Sequence, residues 1–376
     1  MTRLPGLDTL RAIAIAWVML FHSYLIGGLG ENFGVLEHAG WMGVDLFFVL
    51  SGFLIGSQVF ASLRDRGSLD FGAFYTRRAF RILPAFLVVL GLYLVWPAWR
   101  EAPQMQPAWQ FLTFTFNLLY SDGERRAFSH AWSLCVEEHF YLVFPFLAVW
   151  LARWMTPRRF AMACAVIVLG GMGLRAWLWL AFYQPAIGSN EPAYLRYLYY
   201  PTYARLDGLV AGVALAACAV FRPDWMSRFR GRAGAVLVAS ACLLAACIAL
   251  FDGHRLEFWP IVVGYPLVAL AMAGFVAMAG GGTRLARLRV PGAGWLAGAS
   301  YSLYLSHKGA FMLTEAALDG RLDSHPWLRF LAHVAVVLAV GAALYYLVER
   351  HFLRWRERRS ATLRASQAIL SVSPAD

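Results

Sequence analysis

The chain has 376 residues, 60% of them hydrophobic and only 15% charged, and its mean hydropathy is +0.56. That balance cannot clothe a water-soluble domain of this size in polar surface, and apolar runs of about 20 residues, the length that crosses a bilayer, recur throughout. The formal net charge of +11 is almost wholly arginine, with Lys308 the only lysine, and the arginines sit in short loops between apolar runs, which argues against a nucleic-acid-binding surface.

In lipid each segment must satisfy its own backbone groups, so the expected fold is all-α and polytopic. About ten transmembrane helices are expected, near 9–28, 42–63, 79–98, 132–152, 160–182, 205–221, 233–251, 259–279, 296–316 and 327–348. They form one membrane domain over 1–355, and the Ser-, Ala- and Pro-containing tail 356–376 is expected to be a disordered cytoplasmic segment. The apolar stretch Trp109 to Tyr120, behind Pro107, is too short to span and reads as interfacial or re-entrant.

The arginines support this count. With the N-terminus inside, the inner loops hold Arg64, Arg66, Arg77, Arg78, Arg153, Arg158 and Arg159. Further along they hold Arg222, Arg228, Arg230, Arg232, Arg284, Arg287 and Arg289, and the tail is arginine-rich from Arg350 onward. Outer loops hold only Arg100, Arg125, Arg126, Arg196, Arg255 and Arg321, so both termini are expected in the cytoplasm. The first apolar run has no clear small-residue cleavage site and reads as a retained helix. The five cysteines lie in apolar runs without ligand spacing, so neither a disulfide nor a metal is expected.

Ionisable residues inside spans are costly and mark candidate functional positions. In the first span Asp8 and Arg11 share the cytoplasmic end, and His22 lies eleven residues beyond Arg11. That is close to three turns, about 16 Å along the same face. His22 reads either as a hydrogen-bonded core residue or as a neutral, basic imidazole that takes a proton. In the second span Asp45 is a lone acid among aromatics, either structural or substrate-facing, and Gly43 and Gly52 permit close helix approach.

Arg78 and Arg81 share a face at the cytoplasmic entry of the third span, a disposition that suits phosphate groups. Glu137 lies about two turns into the fourth span, in the same outer half as His22, so the two are expected to pair. Glu138 and His139 read as ordinary polar residues at the interface. Arg205 and Asp207 open the sixth span as a candidate rim pair. The ninth span carries Tyr301, Tyr304, His307 and Lys308 near mid-membrane, where a lysine cannot easily snorkel out.

Together these segments resemble the acyltransferase-3 family of integral membrane O-acyltransferases. The resemblance runs over roughly residues 5 to 350. It rests on Arg11-x10-His22, GVDLFFVLSGFLI at 43–55, Arg78-x-x-Arg81, WSLxxExxFY at 132–141 and SYSLYLxH at 300–307. It implies acyl-CoA as donor, most often acetyl-CoA, and a hydroxyl of a glycan or lipid-linked sugar as acceptor, in a multi-pass protein of the bacterial inner membrane. It implies that His22 is catalytic and that Arg11, Arg78, Arg81 and Glu137 are functional. It leaves open a separate acceptor-handling protein.

The expected chemistry has two ends. Arg78 and Arg81, with Arg11, hold the donor phosphates at the inner boundary, and the thioester reaches His22, which takes the acceptor proton while Glu137 orients it. A transient acyl-imidazole is equally compatible. Tyr301, Tyr304 or Lys308 are candidate oxyanion donors, and Asp45 and His307 candidate substrate contacts. The rival classes are a transporter of a lipid-linked glycan or small molecule and a membrane scaffold; a transporter would also carry mid-membrane charge, but with broken helices and inverted repeats.

Overall fold

The computed structural model describes residues 4–26, 33–121, 125–187 and 191–358. The expected tail lies, from residue 359 on, outside the described residues. Ten long helices correspond to the ten expected segments. They are α1 (Pro5–Ile26), α2 (Met42–Arg66), α3 (Phe71–Val95), α4 (Ala131–Leu151) and α5 (Pro157–Leu178), then α6 (Asp207–Phe221), α7 (Ala233–Phe251), α8 (Tyr265–Ala279), α9 (Ala293–Leu318) and α10 (Pro326–Leu344). There is no strand among the described residues, only an isolated bridge between Met105 and Ala127.

Eight of these segments are long and apolar enough to cross a membrane, α8 together with the contiguous helical turn Pro260–Gly264 that precedes it. The two that are not explain themselves. Helix α6 has 15 residues and bends by 108° into an amphipathic segment, Pro223–Gly231; counted together as one span the pair makes nine. Helix α9 is long, at 26 residues, but its buried Ser300, Ser302, Ser306, His307 and Lys308 dilute its apolar character. The protein is a polytopic all-α membrane protein.

Local sequence sets the helix ends. The Asp70 carboxylate accepts from the Ala73 amide at 2.8 Å and opens α3, while Gly67, at φ 68°, closes α2 in the left-handed region. Helices in lipid associate through close packing rather than burial from water, so small residues decide where they meet. A Cβ on Gly52 would sit 2.2 Å from the Leu209 carbonyl, and one on Gly212 would sit 2.2 Å from the Val49 carbonyl, so α2 and α6 touch backbone to backbone. Gly43 does the same against α1, its Cβ direction ending 2.7 Å from the Ala14 carbonyl. Helix α9 packs against both α1 and α10, which buries its Ser300, Ser302, Ser306, His307 and Lys308.

The stretch 109–120 forms one short helix, Ala108–Leu112, and then turns. Phe111, Phe116 and Tyr120 are buried while Trp109, Leu112 and Leu118 are exposed, so it lies across the bundle end instead of spanning.

Candidate functional site

Three regions of buried polarity occupy the core. The first is a cavity of about 350 Å³ lined by Arg11, Arg78, Arg81, Glu137, Glu138 and Tyr301, with Ser133 and Tyr304 at one end. It collects residues of α1, α2, α3, α4 and α9, with α2 supplying a long wall from Val44 to Gln58. Arg78 reaches Gln58 at 3.4 Å and lies over the Tyr141 ring, 5.1 Å from its centroid. Arg81 pairs with the buried Glu349 at 3.2 Å, and Glu349 also accepts from Ser302 Oγ at 2.6 Å. The Tyr141 hydroxyl donates to Glu137 Oε2 at 2.5 Å and lies 3.0 Å from Ser51 Oγ.

The second region is a histidine cluster. His22 Nδ1 and His307 Nε2 lie 2.8 Å apart, and the His130 ring is 4.9 Å from that of His307 and 6.3 Å from that of His22. The hydrogen positions follow from the partners. His307 Nδ1 faces the Tyr304 carbonyl at 2.7 Å; a carbonyl only accepts, so Nδ1 carries the hydrogen. In the neutral ring His307 Nε2 is then an acceptor, and His22 Nδ1–H donates to it. This leaves His22 Nε2 with a free lone pair. His130 Nε2 donates to the Leu305 carbonyl at 3.1 Å by the same logic. Beyond it Lys308 Nζ donates to Ser129 Oγ at 2.7 Å and lies 3.5 Å from Glu101.

A single layer separates cavity from cluster. Ser133 Oγ and the Tyr304 hydroxyl are 2.6 Å apart, and Tyr304 donates to the His130 carbonyl at 3.0 Å. The Tyr304 ring faces His130 at 5.5 Å and His307 at 5.7 Å. His22 does not line the cavity; it stands behind this partition.

The third region is closed. Arg205 pairs with Asp45 at 2.8 Å inside a box of aromatic rings, 4.0 Å from the Tyr265 centroid and 4.6 Å from that of Tyr199. Arg175 pairs with Asp207 through contacts of 2.7 and 3.2 Å and donates to the carbonyls of Ala204 and Val262.

Several expectations need correction. Glu137 does not pair with His22: it turns toward Tyr141 in the arginine-lined cavity, and the partner of His22 is His307. Asp45 does not line the cavity; it is buried and paired with Arg205 at 2.8 Å. Arg205 and Asp207 are not a rim pair: both are buried, and each binds a residue of another helix. Glu138 lines the cavity instead of facing the interface, while half-buried His139 lies 2.7 Å from Thr202 Oγ1. Arg11, Arg78 and Arg81 do converge, as do His22 and His307, and Tyr301 lines the cavity with its hydroxyl on the Ile82 carbonyl at 3.0 Å. Glu101, His130 and Glu349 were missed. Glu349 carried a signal, an acid closing an apolar run; Glu101 and His130 sit in loop-like sequence that gave none. Among the described residues no cluster of His, Cys, Asp or Glu is disposed to hold a metal, and the cysteines are free thiols.

A family profile described as an acyltransferase domain matches residues 4–346. The chain is 26% identical over 365 residues to the peptidoglycan O-acetyltransferase OatA of Listeria monocytogenes, covering 92% of this chain and 55% of that protein. It is 25% identical over 374 residues to the putative peptidoglycan O-acetyltransferase YrhL of Bacillus subtilis, covering 92% and 54%. With the O-acetyltransferase OatA of Staphylococcus aureus it shares 29% identity over 228 residues, covering 57% and 34%. The chain thus spans about half the length of the first two curated relatives. No solved structure matches it.

Proposed function

The chain belongs to the acyltransferase-domain family, and from that premise we propose that it transfers an acetyl group from acetyl-CoA to a hydroxyl of a cell-wall glycan. The relatives named as peptidoglycan O-acetyltransferases support the acceptor class. The observation that carries the reading is the alignment of an arginine-lined cavity with an imidazole pair behind one tyrosine partition.

Arg78 and Arg11 offer guanidinium groups to the donor phosphates, and Arg81 joins them if it leaves Glu349. With the N-terminus in the cytoplasm, as the arginine distribution favours, this cavity opens toward the donor's compartment. The slim pantetheine arm fits the cavity, and its thioester meets the partition. Rotation of Tyr304 away from Ser133 opens the way to His22.

His22 Nε2 then takes the proton of the acceptor hydroxyl as that oxygen attacks the thioester carbonyl. The C–S bond breaks, the C–O bond forms, and the proton passes to the leaving thiolate. The imidazolium that forms keeps its Nδ1–H on His307 Nε2, so His307 does for His22 what a carboxylate does in a triad, without adding a charge. The same nitrogen serves an acyl-imidazole route, in which it attacks the carbonyl itself.

Purified protein in lipid nanodiscs, given acetyl-CoA and a soluble glycan, should release CoA and yield an O-acetylated product by mass spectrometry. Release of neither above a protein-free control would refute the reading.

A further inference from the structure

Between α6 and α7 the chain makes a sharp elbow. Helix α6 ends at Phe221, and the axis turns by 108° into the nine-residue helix Pro223–Gly231. If α6 crosses the membrane, this short helix lies close to the membrane plane. One side is fastened to the bundle: Met226 is buried, and Arg230 Nε donates to the Ala277 carbonyl at 3.3 Å. The other side is uncovered. Trp225 is 62% exposed and Phe229 42%, and the two are one turn apart on the same strip. Nothing in the mechanism above uses this segment.

Arginines edge the aromatic strip. Arg228 lies beside it with Arg232 one turn further on, and the Arg222 guanidinium is 5.7 Å from the Trp225 ring centroid. All three are exposed. From Arg222 to Arg232 there are four arginines and one acid, Asp224. None of the four meets a carboxylate at ion-pair distance among the described residues, whereas Arg81, Arg175 and Arg205 each do. The Arg230 guanidinium lies against Gly280 and Gly281, in the turn that leads through Thr283 into the short helix Arg284–Arg287. That neighbouring segment adds exposed Arg284, Arg287 and Arg289 and no acid.

An in-plane helix with exposed aromatic rings sinks that strip to the boundary of the acyl chains, which leaves flanking guanidinium groups at the depth of the lipid phosphates. We propose that the elbow binds an anionic phospholipid of the leaflet on the arginine-rich side. Arg228 and Arg232 hold the headgroup phosphate, and Trp225 and Phe229 lie against its acyl chains. Arg284, Arg287 and Arg289 add to the local positive field and favour a headgroup of net negative charge over a zwitterionic one.

Lipid competition decides it without any acyl transfer. The full chain, purified in detergent, is incubated with equimolar phosphatidylglycerol and phosphatidylcholine of identical acyl chains, and bound lipid is counted by native mass spectrometry. The wild type should retain phosphatidylglycerol by at least about tenfold over phosphatidylcholine. Arg228→Gln with Arg232→Gln should lose most of that preference, and the corresponding double lysine variant should keep part of it. Arg64→Gln, on a turn where the arginine already pairs with Asp65 at 2.8 Å, should keep all of it. Excess CoA should leave the bound lipid in place. Equal retention of the two lipids, an unchanged preference in the double glutamine variant, an equal loss in Arg64→Gln, or displacement of the lipid by CoA would each overturn the proposal.

Discussion

Two sets of arginines inside one helix bundle, one buried and one half-buried, lead to opposite conclusions. Arg175 and Arg205 are fully covered, each bound to an aspartate from another segment, and Arg205 is boxed by aromatic rings. Arg11, Arg78 and Arg81 line open space together with Glu137, Glu138 and three tyrosines. The first set holds helices together; the second has room for a ligand. A charge inside a membrane protein is therefore only half an argument for function, and the cavity beside it supplies the other half.

Breaking the closed set should cost stability rather than affinity. Arg205→Ala leaves Asp45 buried without its partner, which costs about 3–5 kcal/mol. Thermal unfolding in detergent should move to markedly lower temperature, and folded yield should fall. Unaltered unfolding together with a weakened donor affinity would place Arg205 in the functional set instead. The open set should behave the other way. Arg78→Ala should raise the donor KM by about 10- to 100-fold, the worth of one charge-assisted contact of about 1.5–3 kcal/mol, with unfolding unchanged. A synthetic thioester lacking the nucleotide should show no such penalty.

The histidine cluster sharpens the contrast, because His22 meets another imidazole rather than a carboxylate. His307→Ala removes the acceptor for His22 Nδ1–H and should lower kcat by about tenfold or more while leaving donor KM in place. His307→Asn, whose side-chain oxygen also accepts, should recover part of that loss. The smallest effect belongs to the partition. Tyr304→Phe deletes the contacts to Ser133 and the His130 carbonyl, each worth about 1 kcal/mol. Spontaneous thioester hydrolysis without acceptor should rise severalfold, as water and donor meet more often behind a looser barrier.

The positions of the helices were legible in the sequence because bilayer length and arginine placement are local properties. The convergence of Arg78 with Arg81 was legible for the same reason: both lie on one turn. Partners across helices were not. Asp45 finds Arg205 at a separation of 160 residues and His22 finds His307 at 285, and no spacing rule encodes either. Depth alone suggested Glu137 as the companion of His22, since both fall in the same half of the bilayer. Depth leaves the rotation of each helix open, and rotation turned the face that carries Glu137 and Tyr141 into the arginine-lined cavity. Gly43, Gly52 and Gly212 fix in the same way which faces of α1, α2 and α6 meet, an effect visible only once the helices are assembled.

The account depends on His22 acting on a donor that other residues hold, and one paired measurement isolates that division. Purified wild type and His22→Ala are compared for equilibrium binding of acetyl-CoA and for single-turnover release of CoA in the presence of glycan. The account predicts unchanged binding and release slowed by about 10²–10⁴-fold in the variant, the range of a lost acid–base group. Release at the wild-type rate from a protein lacking that imidazole would contradict it.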